Sequence, residues 1–233
     1  METVSLLGVA SVASSDEEWQ PWEHCNFLGV DLSPLAIGYA QGVSQRWGLD
    51  DSLHFLVDSA EHAMEMVKST YPGNVSQIMI QFPTPYRLLP SSSSNEEYQG
   101  NRQLPKDAED GFMVSGNLLK IAASLIRGTG GTLLLQSNCE DIAIHMYSVA
   151  EDVGMSGVTS NNPRWEMPRQ TTQRTETWLA QQTNPPERAA GQSWWDSAIL
   201  PKICQTETEI ACGLNGTPVH RCLLHAPANP GPL

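Results

Sequence analysis

The sequence predicts an α/β protein whose mostly parallel sheet is covered by helices. Three observations carry this. Short apolar runs alternate with helix-length segments from residue 26 to 137, capping residues stand at the junctions, and one strand-like run ends on a proline. "NFLGVD" (26–31) is apolar enough for a buried strand. Ser33 followed by Pro34 is a cap and a first-turn proline, opening a helix that runs to about Trp47. "LHFLV" (53–57) reads as the next strand, and Ser59 caps a helix through about Tyr71. "PGN" then turns the chain into a strand over 75–82.

That strand stops in "QFPTPYR" (81–87). Proline donates no N–H and cannot sit inside a central strand, so a shaped loop begins at Pro83. Loops at the C-terminal ends of strands are where open α/β sheets bind ligands. A polar insertion with a serine run follows over 88–110. Phe112–Arg127 is an amphipathic helix stopped by "GTGG", "TLLLQS" (132–137) is a strand, and Cys139–Val153 is a further helix. Beyond about residue 155 the rhythm fails, and 159–201, rich in Asn, Gln, Thr, Pro and Trp, reads as loop and short helix. "QTETEIACGLNGTPVHRCLLH" restores it with a short helix, a turn at Asn215–Gly216 and a strand over 218–224.

Composition limits the function classes. No stretch approaches the roughly 20 apolar residues of a spanning helix. The net charge of −13 excludes a general basic surface for polyanions. Residues 1–30 hold five acids and no Lys or Arg, whereas 161–225 hold six of each, so the neutral C-terminal quarter is where nucleic acid would land. Five cysteines without a C-x-x-C pair argue against a disulfide framework and for a reducing compartment. The opening "METVSLLGVASVASS" has no positive residue before its apolar run, unlike a signal peptide.

Two acids end consecutive strands, Asp31 in "FLGVD" and Asp58 in "LVDSA". A carboxylate there can accept two hydrogen bonds from ribose hydroxyls or one from an adenine amine. The plainer reading is that both acids help cap the helices beginning at Ser33 and Ser59. His220, Cys222 and His225, with Cys204 and Cys212 upstream, are dense enough for zinc, but their spacings match no common finger. Trp165, Trp178, Trp194 and Trp195 could stack on unpaired bases, or serve as packing anchors.

Four stretches together resemble the tRNA (guanine-N7)-methyltransferase family. "FPTPY" is similar to its Phe-Pro-Asp-Pro-aromatic loop, and "FLGVD" to its strand ending in a cofactor acid. "TGGTLLLQSNCEDIAIHMY" resembles its Gly-Gly strand ending in Thr-Asp. "TETEIACGLNGTPVH" resembles its C-terminal Thr-x-x-Glu, with Gly216 seven residues after Glu209. The resemblance covers roughly 26–150 and 204–224. It implies a Rossmann-like methyltransferase fold over 26–225, with insertions at 88–110 and 159–201 and a tail at 226–233.

The implied activity is methyl transfer from S-adenosylmethionine to N7 of a guanine in the tRNA variable loop. N7 is a lone-pair acceptor, so no proton need leave before attack, and the work is mostly positioning. By position in the family pattern, Asp31, Asp58, Ser59 and Ala60 would hold cofactor. Thr84 and Asn138 would face the reaction centre, Thr206 and Glu209 would help hold the guanine and the cofactor's tail, and Arg87 would bind the tRNA substrate. A β-propeller partner follows by family analogy, as does a nuclear or cytoplasmic location, or an organelle if a transit segment precedes this chain.

Departures from the pattern lower the expected activity. The loop aspartate is Thr84 and the strand-end aspartate is Asn138, and the basic cluster after the loop is reduced to Arg87. Neutral hydrogen bonds contribute about 1 kcal/mol against roughly 1.5–3 for charged ones, so guanine holding should weaken by one to two decades. The first strand and its glycine-rich turn should precede Asp31 by about 20 residues, yet that stretch holds a single glycine, Gly8. Residues 1–25 are therefore expected to be a truncated or degenerate first βα unit, and binding of S-adenosylmethionine by this chain to be weak. A non-catalytic paralogue binding tRNA or a protein, or a methyltransferase with another acceptor, are the alternatives.

Overall fold

In a computed structural model, which describes residues 3–15, 22, 24–83, 114–158, 194–195, 198–200 and 202–228, the chain is Rossmann-like α/β. Its elements are α1 (Thr3–Ser15), β1 (Phe27–Asp31), α2 (Pro34–Trp47), β2 (Leu53–Val57), α3 (Ala60–Thr70) and β3 (Gln77–Gln81). Then come α4 (Gly116–Ile126), β4 (Thr132–Ser137), α5 (Glu140–Asp152), β5 (Ser156–Gly157), a 3-10 turn (Lys202–Cys204), α6 (Glu207–Asn215) and β6 (His220–His225). The alternation predicted from 26 onward is present, with boundaries shifted by up to four residues.

The caps explain the helix starts. Ser33, Ser59 and Ser115 each accept from a backbone N–H in the first turn of α2, α3 and α4, at 3.3, 3.2 and 3.0 Å. Thr206 does the same for α6, accepting from Glu209 N at 3.0 Å. Helix α2 ends on Gly48 at φ 68°, a left-handed position that favours glycine.

The described strands form two sheets. β1 pairs with β2 in parallel, from Phe27 opposite Leu53 to Asp31 opposite Val57. The second sheet has the order β3-β4-β6-β5, with β3 parallel to β4 and β6 antiparallel to both its neighbours. β4 is buried at all six positions. One face of this sheet, through Leu133, Leu135, Cys222 and Leu224, packs on α4 and α5. The other, through Leu134 and Leu223, packs on Val9, Val12 and Ala13 of α1.

Helix α1 is the element that periodicity does not predict. It is apolar around most of its circumference, so no amphipathic pattern marks it, and its buried faces touch both the sheet and the 3-10 turn. Ser5 Oγ donates to the Cys204 carbonyl at 2.6 Å. Gly8 lets the helix approach that closely, because a Cβ would run into the Ile203 carbonyl oxygen and lie 2.9 Å from Cys204 Cα. β5 is also new, a two-residue strand in the region where the sequence rhythm fails. The insertion at 88–110, and 159–201 apart from Trp194, Trp195 and 198–200, lie outside the described residues.

Of the four tryptophans singled out in the sequence, the two that are described, Trp194 and Trp195, are packing anchors. Trp194 lies in the α4–α5 cluster and Trp195 in the α1 cluster, both buried. Trp165 and Trp178 lie outside the described residues. Cys222 and Cys204 belong to clusters on opposite faces of the sheet. Burial pushes the Cys204 thiol up to about 12.

Gly8→Val should destabilise the chain by about 1–3 kcal/mol, since backbone atoms must move to admit the side chain. Gly38→Ala on the open face of α2, where a Cβ meets nothing within 4 Å, should stabilise by roughly 0.5–1 kcal/mol. Urea denaturation of the two variants checks both signs.

Candidate functional site

Parallel strands bring their C-terminal ends to one edge, and β1, β2, β3 and β4 end there in Asp31, Val57, Gln81 and Ser137. Asp58 follows directly on β2, and its N–H donates to the Asp31 carbonyl at 3.2 Å, so the two acids are tied through the backbone. Their side chains are in different states. Asp31 Oδ1 accepts from Ser33 N at 2.7 Å, while Oδ2 has no partner among the described residues. Asp58 uses both oxygens: Oδ1 accepts from Ser59 N at 2.7 Å and Oδ2 lies 2.5 Å from His62 Nδ1. The His62 hydrogen bond first, and the Ser59 N–H second, hold the Asp58 carboxyl below its ordinary range.

A cavity of about 520 Å³ lies between β1 and β3 and is lined by every residue of both strands. Asp31 and Ala60 border it; Asp58 and Ser59 do not. Of the four positions predicted to hold cofactor, two therefore face a common space and two sit beside it on the next strand end. The plainer reading of the acids, as partners of the helix starts, has a counterpart here. The serines cap the helices while the acids brace the turns, and Asp31 keeps one oxygen in reserve.

The remaining predicted positions disperse. Asn138 is exposed just beyond β4. Thr206 is buried, with its hydroxyl accepting as the α6 cap. Glu209 is 5% exposed, and its Oε1 accepts from Arg221 Nε at 3.0 Å and Nη2 at 2.6 Å. Arg221 Nη1 adds a bond to the Val219 carbonyl at 3.2 Å. This buried pair ties α6 to β6. Thr84 and Arg87 lie outside the described residues.

Two features at the same edge were not read from the sequence. Phe82 has φ 48°, a left-handed backbone that costs a non-glycine residue about 1–2 kcal/mol. Its N–H is anchored to the Gln136 carbonyl at 2.7 Å, and the twist aims the chain into Pro83. Beside it lies a row of buried amides. Gln81 and Gln136 are register partners, Gln136 is opposite Arg221, and Arg221 bridges to Trp195. Gln81 Nε2, Gln136 Nε2 and Trp195 Nε1 are buried donors with no partner among the described residues. Glutamine at a strand end carries no recognisable motif, so only the register reveals the row.

No family model matches this chain. It is 26% identical over 199 residues to the tRNA (guanine-N(7)-)-methyltransferase of Synechocystis sp. (strain ATCC 27184 / PCC 6803 / Kazusa), covering 85% of this chain and 70% of that protein. Among solved structures, StiE O-MT residues 942–1257 is similar at TM-score 0.38 and 10% identity, covering 87% of this chain and 58% of that one. The [4+2]-cyclase SpnF is similar at TM-score 0.40 and 11% identity, covering 88% and 67%. These structural likenesses are distant, and the α/β assignment rests on the strands and helices described above.

Glu209→Gln should cost about 3–5 kcal/mol in stability, because it leaves Arg221 charged and unpaired in the interior. Combining it with Arg221→Met should recover most of that loss, as read by chemical denaturation of the single and double variants. His62→Ala should raise the Asp58 carboxyl toward its ordinary range, followed by NMR titration of the carboxyl carbon. With the folded-state value lowered, Asp58 stabilises the fold above its unfolded value, and that contribution disappears as pH falls through the folded one.

Proposed function

We propose that this chain is an S-adenosylmethionine-dependent methyltransferase that modifies N7 of a guanine in the tRNA variable loop. The observation that carries the reading is the similarity to the Synechocystis enzyme across 85% of the chain. It is supported by Oδ2 of Asp31, unengaged among the described residues, at the cavity edge. An ionised carboxylate suits a ribose diol, and the space is of the size that holds small ligands. Ala60 beside it is small enough to admit a ring system. The residues present thus fit the adenosine end of the cofactor, which supplies an electrophilic methyl group on sulfur.

The protein's own contribution is positional. Asp31 orients the ribose, and Thr84 stands two residues beyond Phe82 in the sequence. Thr84 and Asn138 accept hydrogen bonds from the guanine N1–H and amine without a full negative charge. Glu209 stabilises α6 through Arg221, and reaches guanine only if that pair opens.

A second reading, a non-catalytic paralogue that binds tRNA or a protein, is favoured by that same engagement of Glu209 and by the two lost charges at Thr84 and Asn138. The two readings separate in one experiment. Unmodified tRNA is incubated with labelled S-adenosylmethionine and the protein, and its nucleosides are resolved by mass spectrometry. The expected product is 7-methylguanosine at a low rate, raised about one to two decades by Thr84→Asp with Asn138→Asp. Bound tRNA without methyl transfer in either protein would establish the second reading. A methyl group on another nucleoside would move the acceptor.

A further inference from the structure

Three buried donors lie in one line across the second sheet, on the face that α1 covers. Side chains alternate along a strand, so residues two apart share a face. Leu134 and Leu223 belong to the cluster under α1, and Met79 packs against it. Gln136, Arg221 and Gln81 each stand two residues from one of these and point to the same side. Trp195 belongs to that cluster itself. Register sets the order: Gln81 opposite Gln136, Gln136 opposite Arg221, and Arg221 bridged to Trp195. All four are more than nine-tenths buried.

The row offers donors and no net charge. Gln81 Nε2, Gln136 Nε2 and Trp195 Nε1 have no acceptor among the described residues, and buried donors are seldom left unmet. Arg221 brings a positive charge, which Glu209 neutralises at 2.6 Å. A phosphate or carboxylate would therefore be buried here without a counter-charge, and the fitting guest is a neutral carbonyl oxygen. Amides on neighbouring strands, about 4.8 Å apart, can converge on one such oxygen. The Arg221 cation beside Gln136 favours the amide oxygen on its own side, which turns Nε2 toward Gln81. The row also lies at the strand-end edge. Gln81 is the last residue of β3, directly before Phe82, and Gln136 stands two residues before Asn138.

We infer that Gln81 and Gln136 read the 6-carbonyl of the guanine that this chain engages. The inference rests on the proposed guanine specificity and names the residues that enforce it. On its N7 edge guanine presents two acceptors, N7 and O6, whereas adenine presents N7 and a 6-amine donor. Amides donating to O6 leave the N7 lone pair open to a methyl group. Under the proposed activity Thr84 and Asn138 take the N1–H and the 2-amine, so the two sets of groups address different atoms. Adenine would set its amine against the glutamine N–H groups and leave them unpaired, which is how a hydrogen-bonding site rejects an analogue.

The test uses the whole chain and three nucleoside monophosphates, with guanine, adenine or 2-aminopurine as the base. 2-Aminopurine keeps N7 and the 2-amine and carries hydrogen in place of O6. Binding is followed by NMR on the side-chain amide signals of Gln81 and Gln136. Only the guanine nucleotide should shift both signals, and it should bind about fivefold or more tighter than the other two. In Gln136→Met that preference should fall below about twofold, while the urea midpoint stays level or rises because an unmet buried donor is removed. Silence of both amides toward the guanine nucleotide would overturn the inference, as would an equal response to adenine or 2-aminopurine. A lower urea midpoint in Gln136→Met with the guanine preference kept would make the amide a structural group, and overturns it too. Methyl transfer to tRNA by a protein whose amides stay silent would keep the proposed activity and remove this inference alone. A response to guanine alone, without methyl transfer, would keep this inference and remove the proposed activity.

Discussion

Strand β4 is the constraint on which the other elements depend. A strand buried at every position must have both edges paired and both faces covered, or its backbone groups lose water without replacement. β3 and β6 supply the edges, and α4, α5 and α1 supply the faces. Each fully buried Leu of this strand contributes about 1.5–3 kcal/mol relative to exposure. This burial brings residues distant in sequence into one packed unit, including the 3-10 turn that clamps α1 through Ser5.

The strand-end edge divides its polar groups between structure and ligand. Ser33 and Ser59 satisfy helix starts, which leaves the neighbouring acids to brace the turns. Asp58 is then taken up fully by Ser59 and His62, and Asp31 is only half used. The Glu209–Arg221 pair is a further structural use of charge: two ionised groups, each over nine-tenths buried, are compatible with folding only while they neutralise one another. A carboxylate so engaged is a poor first choice for holding a substrate. Of Asp31 and Asp58, Asp31 is the one with an oxygen left unengaged among the described residues.

The gap between β1 and β3 explains the unusual burial of this part of the molecule. Leu28 is 43% exposed and β3 is only partly covered, although both strands have the composition of interior strands. Gly29 adapts β1 to its own side, because a Cβ there would meet the Phe55 ring at 2.5 Å. Helix α1 covers one side of the cavity through Leu6 and Val9, but a helix cannot complete a strand's hydrogen bonds, so among the described residues the facing edges of β1 and β3 have no strand partner.

Local patterns in the sequence determined α2 to α6 and strands β1 to β4 and β6, because caps, prolines and apolar runs act on neighbouring residues. They also placed Asp31 and Asp58 at strand ends, since a strand's length and the serine after it mark where it stops. Helix α1 escaped this reading because a segment apolar on most sides has no period to detect. The engagement of Glu209, the amide row from Gln81 to Trp195, the left-handed Phe82 and the separation of β1 from β3 were decided by tertiary structure. Each is a pairing across chain distances that no local pattern encodes, set by which edges and charges meet when the helices close over β4.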